Sequence, residues 1–395
     1  MIIAVPKESF PGERRVALVP AAVPGLKKAG HEVLVEAGAG GTALFPDAMY
    51  LEKGARIAGS RAEVFASADA VVQVLGHGAN DKTGRADLPL LRRTQILIAF
   101  LRPLAVPETV REIAVSGATA FSVEFMPRIT RAQSMDALSA MSTVAGYKAV
   151  LLAADVLPRM FPMLMTAAGT IPPARVLVVG AGVAGLQAIA TARRLGAVVS
   201  AYDIRPATKE EVRSLGARFV ELPLEVAEAQ DAGGYAKAQD ESVYRRQQEL
   251  LARVVAESDV VITTAVVPGR KAPVLITKEM VAGMVPGSVI VDMAAERGGN
   301  CELTRAYKTV VAHGVTIIGA VNLAGSVPFH ASQMYARNIA AFFLHLVKSG
   351  SLELNPDDEI TRETLLTRGG EVVHRRVREA LKLPPLEVPV PQARP

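Results

Sequence analysis

The chain alternates short β-branched runs with amphipathic stretches, the rhythm of an α/β protein. Over residues 1–125, Ile2 to Val5, Glu32 to Glu36, Ala70 to Leu75, Gln95 to Phe100 and Ala118 to Phe121 are apolar enough on successive positions to predict buried strands. Between them Pro20 to Ala29, Pro46 to Lys53, Arg61 to Ser67 and Pro107 to Ser116 carry helical periodicity, the last with Pro107 in the first turn, where its missing N–H costs nothing. A polar loop from Met126 to Asp136 then opens into an Ala/Met-rich helix predicted from about Ser134 to Val156.

The segment Ala174 to Ala190 reads as a β-branched strand, a glycine turn and an apolar-periodic helix, the opening of a dinucleotide-binding βαβ unit. Gly180 permits the tight turn, Gly182 lets backbone approach a pyrophosphate, and Gly185 lets helix and strand pack closely. The helix, continuing through Val183 and Ala184, presents its N-terminal N–H groups to the phosphates. It stops at Leu195-Gly196, and a second strand from Ala197 to Tyr202 ends in Asp203. Further strands are predicted at Val260 to Thr263, Ser288 to Val291 and Thr316 to Ile318, and a second long helix at Pro328 to Lys348.

The expected fold class is therefore α/β, with two Rossmann-like parallel-sheet domains joined by two long helices. Residues 1–134 with 327–395 would form the first domain, completed by the returning C-terminal segment, and residues 135–326 the NAD-binding Rossmann domain. A polar insert between Phe219 and Arg253, carrying Asp231 to Lys237, is longer than an ordinary connection and marks a functional or mobile loop. The tail from Leu383 to Pro395 is proline-rich and reads as a linker or a partner-binding end.

Composition narrows the functional classes. The 395 residues are 50% hydrophobic and 21% charged with a net charge of +5, enough apolar content for two cores. The basic surplus is spread thinly and no basic run is interleaved with aromatics, which argues against nucleic acid. Cys301 is the single cysteine, so an intramolecular disulfide and a thiolate cluster are excluded, and a reducing, cytoplasmic compartment fits. The N-terminus reads as a first strand and not as a signal peptide. The apolar stretch from Ala149 to Ile171 is broken by Asp155, Pro158, Arg159 and Pro162, so no direct membrane span is expected. None of the six histidines has a partner at metal-ligand spacing, and no metal is expected; His77, between two glycines, is the one in a candidate functional loop.

The acid at Asp203 is placed to accept both ribose hydroxyls of NAD and to repel a 2′-phosphate, while Arg205 softens that preference. Arg14 and Arg15, in the loop after the first strand, read equally as a carboxylate or phosphate clamp and as a solvated basic turn. The loop with Arg128, Arg131, Gln133 and Asp136 lies at the expected domain junction and doubles as a capped helix start, through Ser134 or Asp136.

These motifs together resemble a family. Arg128 to Asp136 with Ser139, Gly180 to Gly185 followed by Tyr202 to Arg205, the Gly-Gly-Tyr-Ala-Lys segment at 233–237, Thr264 to Arg270 and Asp292 to Asn300 resemble the NAD(H)-binding subunit of proton-translocating nicotinamide nucleotide transhydrogenase. The resemblance covers nearly the whole chain. It implies that Gln133 reaches the nicotinamide ribose of NADP(H) held by another subunit, while Arg128, Asp136 and Ser139 orient the NAD(H) carboxamide. Tyr235 would lie on a mobile loop closing over NAD(H), and Ile204, Arg205, Thr264, Ala265, Val266, Glu296 and Asn322 would join the cofactor-binding set. It further implies a homodimer, peripheral on the inner face of the cytoplasmic membrane, with membrane-spanning and NADP(H)-binding subunits as partners.

Alanine dehydrogenase, a relative of that family, supplies the rival expectation of an NAD-dependent amino-acid dehydrogenase, with Arg15 on the substrate carboxylate. That enzyme's lysine, histidine and aspartate positions are here Gln73 or Leu75, Arg102 and Glu296. Reductive amination needs groups that exchange protons near neutral pH, which glutamine and arginine cannot do. Hydride transfer between two nicotinamides moves no proton at the reacting carbons and asks for positioning and water exclusion instead. A non-catalytic NAD(H)-responsive interaction module is the third reading.

Overall fold

The computed structural model describes residues 1–221, 241–267 and 269–386. Tyr235 and the end of the proline-rich tail lie outside the described residues. The chain divides into two compact units, Met1–Ala140 with Pro328–Pro395, and Met141–Val327.

In the first unit the sheet runs, edge to edge, Glu371–Val372, Leu365–Arg368, Thr119–Ser122, Ile96–Phe100, Ala70–Leu75, Ile2–Val5, Glu32–Glu36 and Arg56–Ala58. The six strands from the N-terminal stretch are mutually parallel, so both faces need cover and the strands read as unbroken apolar runs. Taken in chain order those six follow 3-2-1-4-5-6, the doubly wound arrangement. The last two form a hairpin that adds antiparallel to Thr119–Ser122, with Thr367 Oγ1 donating to the Ala118 carbonyl at 2.8 Å and accepting the Ala120 N–H at 3.1 Å. The long helix Pro328–Leu346 belongs to this unit and buries Tyr335, Phe342 and Phe343 in it.

In the second unit the order is Arg218–Phe219, Val198–Tyr202, Arg175–Val179, Val260–Thr263, Val289–Asp292, Val315–Gly319 and Thr309–Ala312. The first six are parallel and again follow 3-2-1-4-5-6; the seventh is an antiparallel edge. Along Arg175–Val179 side chains alternate between two cores. Val176 and Val178 pack with Ala149, Val150, Ala188 and Ile189, while Leu177 and Val179 pack with Tyr202, Leu251, Ile290 and Ile317. A ligand of such a sheet sits where the strand order reverses, outside the carboxyl ends of Arg175–Val179 and Val260–Thr263.

The elements differ from the sequence reading in several places. The helix expected from Ser134 begins at Ala137, because Thr130–Met135 winds as a 3-10 turn first. The edge strand Arg56–Ala58 and an exposed hairpin, Leu164–Thr166 with Gly169–Ile171, are additional. Ala137–Val156 is by length and composition apolar enough to cross a bilayer, yet its Ala149, Val150 and Ala153 are buried in the second unit's core.

Candidate functional site

The fingerprint turn is built as its glycines require. Gly180 sits at φ +101°, and a Cβ there would lie 2.6 Å from Thr264 Oγ1. A Cβ on Gly185 would lie 1.8 Å from the Gly180 carbonyl oxygen, so only glycine lets helix Val183–Arg194 come this close to its strand. Gly182 is different: it caps the helix at φ −80° and a Cβ would meet nothing within 4 Å. A side chain there would enter open space, not space that the protein fills. With no side chain capping the helix, the first-turn N–H groups of Val183, Ala184 and Gly185 face that open side as an anion site. The residues present thus fit a pyrophosphate.

Asp203, at the end of Val198–Tyr202, braces this turn. Its Oδ2 accepts the Ala181 N–H at 2.8 Å, and its carboxylate receives Arg205 in a fork, Nε on Oδ1 at 2.9 Å and Nη2 on Oδ2 at 2.7 Å. Ile204 packs against the core of the same unit. The acid expected to face the ribose is therefore also a turn-former, and Arg205 shields it.

Across the reversal of strand order, Thr264 donates its hydroxyl to the Gly180 carbonyl at 2.9 Å and its N–H pairs with Val179 O at 2.8 Å. Ala265 follows, and Val266 is exposed. Behind this loop stands Asn300, fully buried: its Nδ2 donates to Ala265 O and Pro273 O, both at 2.8 Å, and its Oδ1 accepts the Ala265 N–H at 3.0 Å. Asp292, also fully buried, accepts from Thr263 Oγ1 at 3.0 Å, Ala294 N at 2.9 Å, Cys301 N at 2.9 Å and Thr304 Oγ1 at 2.6 Å. Glu296 is exposed on the 3-10 turn Ala295–Arg297, and Asn322 caps the turn Leu323–Ser326 from the left-handed region, φ +48°. Sequence reasoning found this loop as a motif but not the clamp beneath it; the run Gly298-Gly299-Asn300 was the available signal, and the structure places its glycines at φ +98° and +84°.

The first unit brings Arg128, Gln133, Asp136 and Ser139 together around a pocket of about 310 Å³, with Pro127 and Ile129 as its apolar walls. Asp136 caps the following helix, accepting Ser139 N at 2.9 Å and Ser139 Oγ at 2.5 Å. The cap is therefore Asp136 and not Ser134, whose carbonyl instead accepts Asn338 Nδ2 at 2.8 Å. Ala132 and Met135 are buried, which leaves Arg128 and Gln133 exposed at the rim.

Arg15 is no solvated turn residue. It is buried, and Glu13 takes its Nε and Nη2 at 2.8 and 2.6 Å. Nearby Glu8 accepts Val74 N at 2.6 Å and Leu75 N at 3.1 Å; burial first, then the neighbouring Glu13, pushes its carboxyl up to about 8. Gln73 donates to Asp87 Oδ2 at 3.0 Å and is committed to structure. His77 pairs with Glu112 at 2.6 Å.

With this geometry established, the chain matches the family described as alanine dehydrogenase/PNT, N-terminal domain, over residues 4–145, and its C-terminal counterpart over residues 149–375. It is 47% identical to an NAD(P) transhydrogenase subunit alpha polypeptide of Rhodospirillum rubrum over 377 residues, 95% of this chain and 98% of that one. It is 31% identical to the alanine dehydrogenase of Mycobacterium tuberculosis over 391 residues, 97% of this chain and 98% of that one. Among solved structures, a transhydrogenase from Sinorhizobium meliloti superposes with a TM-score of 0.82 at 44% identity, covering 95% of this chain and all of that one.

Proposed function

The chain belongs to the alanine dehydrogenase/PNT family, and from that premise we propose that it is the NAD(H)-binding alpha component of an NAD(P) transhydrogenase, exchanging hydride with NADP(H) on a partner subunit. The carrying observation is the convergence of Arg128, Gln133, Asp136 and Ser139 on one pocket whose lining, among the described residues, includes no lysine or histidine. In this reading the Gly180 to Gly185 turn receives the pyrophosphate, Asp203 with Arg205 reads the ribose, and Thr264, Ala265, Val266, Glu296, Asn322 and Tyr235 complete the NAD(H) set. Arg128, Asp136 and Ser139 orient the carboxamide, and Gln133 meets the NADP(H) ribose. The nicotinamide supplies the hydride chemistry; these side chains orient and exclude water.

Membrane-spanning partners, proton translocation by them and a peripheral position on the inner face of the cytoplasmic membrane belong to the same proposal. A homodimer is supported by the hairpin Leu164–Thr166 with Gly169–Ile171, which pairs with no other strand among the described residues and exposes Met163 by 56%, Met165 by 77% and Ile171 by 42%. A two-stranded ribbon with exposed methionines is marginal in water and gains from apolar cover.

The second reading, an alanine dehydrogenase-like enzyme, is favoured by Glu8, whose carboxyl burial pushes up to about 8 and whose charge is felt by Arg15. Against it, Glu13 already occupies the Arg15 fork that a substrate carboxylate would need. The isolated chain should bind NADH and leave it unoxidised with ammonium and a panel of 2-oxo acids. Steady substrate-dependent oxidation of NADH would establish the dehydrogenase instead.

A further inference from the structure

Gln133 stands on Thr130–Met135, a six-residue 3-10 turn whose own hydrogen bonding is too sparse to hold an exposed side chain at a set height. Both neighbouring polar positions are tied to the C-terminal stretch of the same unit. Arg131 Nη1 lies 2.6 Å from Asp358 Oδ1, and Asn338 Nδ2 donates to the Ser134 carbonyl at 2.8 Å. The two ends of the Arg131 pair differ in freedom. Asp358, its side chain 8% exposed, caps helix Glu359–Thr364: its Oδ2 accepts Thr361 N at 2.8 Å, Thr361 Oγ1 at 2.7 Å and pairs with His345 Nε2 at 2.8 Å. Arg131, 54% exposed, reaches a carboxylate already fixed by three other groups. An exposed ion pair ordinarily adds little stability, in part because two long side chains must be immobilised. Here only one is, so the pair locates the turn even where it adds little stability. Burial acts to raise the Asp358 carboxyl, but His345, Thr361 and Arg131 together hold it well below the usual range, so it carries its charge throughout the working pH.

We propose that Arg131 and Asp358 are positioning residues for Gln133: their ion pair, with the Asn338 to Ser134 bond, sets the orientation in which Gln133 meets the partner's nucleotide. The proposal rests on the transhydrogenase reading of Gln133. It assigns a role in hydride transfer to a C-terminal segment that carries none of the nucleotide-binding motifs.

The test uses the full chain mixed with a separately purified NADP(H)-binding transhydrogenase domain, comparing wild type with Arg131→Met, Arg131→Lys, Asp358→Asn and the Arg131→Met/Asp358→Asn double variant. Arg131→Met should lower the maximal NADH to NADP⁺ transfer rate roughly tenfold, as a displaced positioning group does, while NADH affinity and Tm stay at wild-type values. Arg131→Lys should recover most of the rate. Asp358→Asn, which keeps an oxygen for the Thr361 N–H, should reproduce the Arg131→Met loss, and the double variant should be no slower than either. Wild-type rates in both single variants, or losses that multiply in the double, overturn the proposal alone. A wild-type chain that transfers no hydride overturns the functional reading and this proposal with it.

Discussion

The side-chain amide of Asn300 holds both polar groups of the Ala265 backbone, accepting from its N–H at 3.0 Å and donating to its carbonyl at 2.8 Å. A buried side chain here does what a neighbouring strand would do. It freezes the loop that leaves Val260–Thr263 where the strand order reverses, while a third bond to Pro273 O uses the remaining donor.

Asn300→Ala leaves those three backbone groups without that partner, at about 1–3 kcal/mol for each one that stays buried and unsatisfied. Asn300→Asp keeps the acceptor but turns a carboxylate toward two carbonyls. Both should lower Tm, and both should weaken NADH binding in a fluorescence titration. A lowered Tm with unchanged NADH affinity would make the clamp architectural only.

Two glycines of one fingerprint should respond oppositely. Gly185→Ala forces a Cβ to 1.8 Å from the Gly180 oxygen, and displacing backbone at that distance should cost about 3 kcal/mol, visible as a fall in Tm. Gly182→Ala meets nothing within 4 Å and adopts an ordinary φ of −80°, so Tm should hold while NADH affinity drops as the methyl fills the phosphate approach. Tight NADH binding by Gly182→Ala would remove the turn from the binding site.

Asp203 carries two tasks, bracing Ala181 N and engaging Arg205. Asp203→Ala removes the charge that repels a 2′-phosphate and takes from Arg205 the carboxylate on which it forks. The NADPH to NADH affinity ratio should rise roughly tenfold, about 1.4 kcal/mol. An unchanged ratio would take Asp203 out of the ribose site.

Glu8 predicts a pH dependence. Its folded value of about 8 exceeds the ordinary 4.5, so between those values the native state holds a proton that the unfolded chain has released. Its contribution is complete below 4.5 and is lost as pH rises through about 8, so it makes stability fall across that range. His374, which burial holds down to about 4 against an ordinary 6.5, gives the opposite slope, rising with pH from about 4 to 6.5. Above 6.5 only the Glu8 slope of these two remains. Tm measured from pH 6.5 to 8.5 should decline more steeply in wild type than in Glu8→Gln; parallel profiles would show that Glu8 is ionised in the fold.

Strands buried on both faces were legible because they read as continuous β-branched runs: Ile2–Val5, Glu32–Glu36, Ala70–Leu75 and Val260–Thr263 stand where periodicity puts them. The hairpin Leu365–Arg368 with Glu371–Val372 was not, since its pairing with Thr119–Ser122 spans some 250 residues and leaves no local pattern. Of the pocket residues, Arg128, Gln133 and Asp136 stood out by type in a junction loop, while Ser139 entered only with the family resemblance. The ties that hold them, Asp358 on Arg131 and Asn338 on Ser134, depend on tertiary contacts that no window of sequence contains. Arg15 shows the same limit: its residue type allowed a ligand clamp or a solvated turn, and only the fold reveals Glu13 already seated on it.

The most direct test of the central claim is hydride transfer from NADH to NADP⁺ in a mixture of this chain with a purified NADP(H)-binding transhydrogenase domain, with each component alone as control. Transfer should occur in the mixture only and should be lost in Gln133→Ala with NADH affinity retained. NADH binding without transfer in the mixture, together with NADH oxidation by the chain alone in the presence of a 2-oxo acid and ammonium, would contradict it.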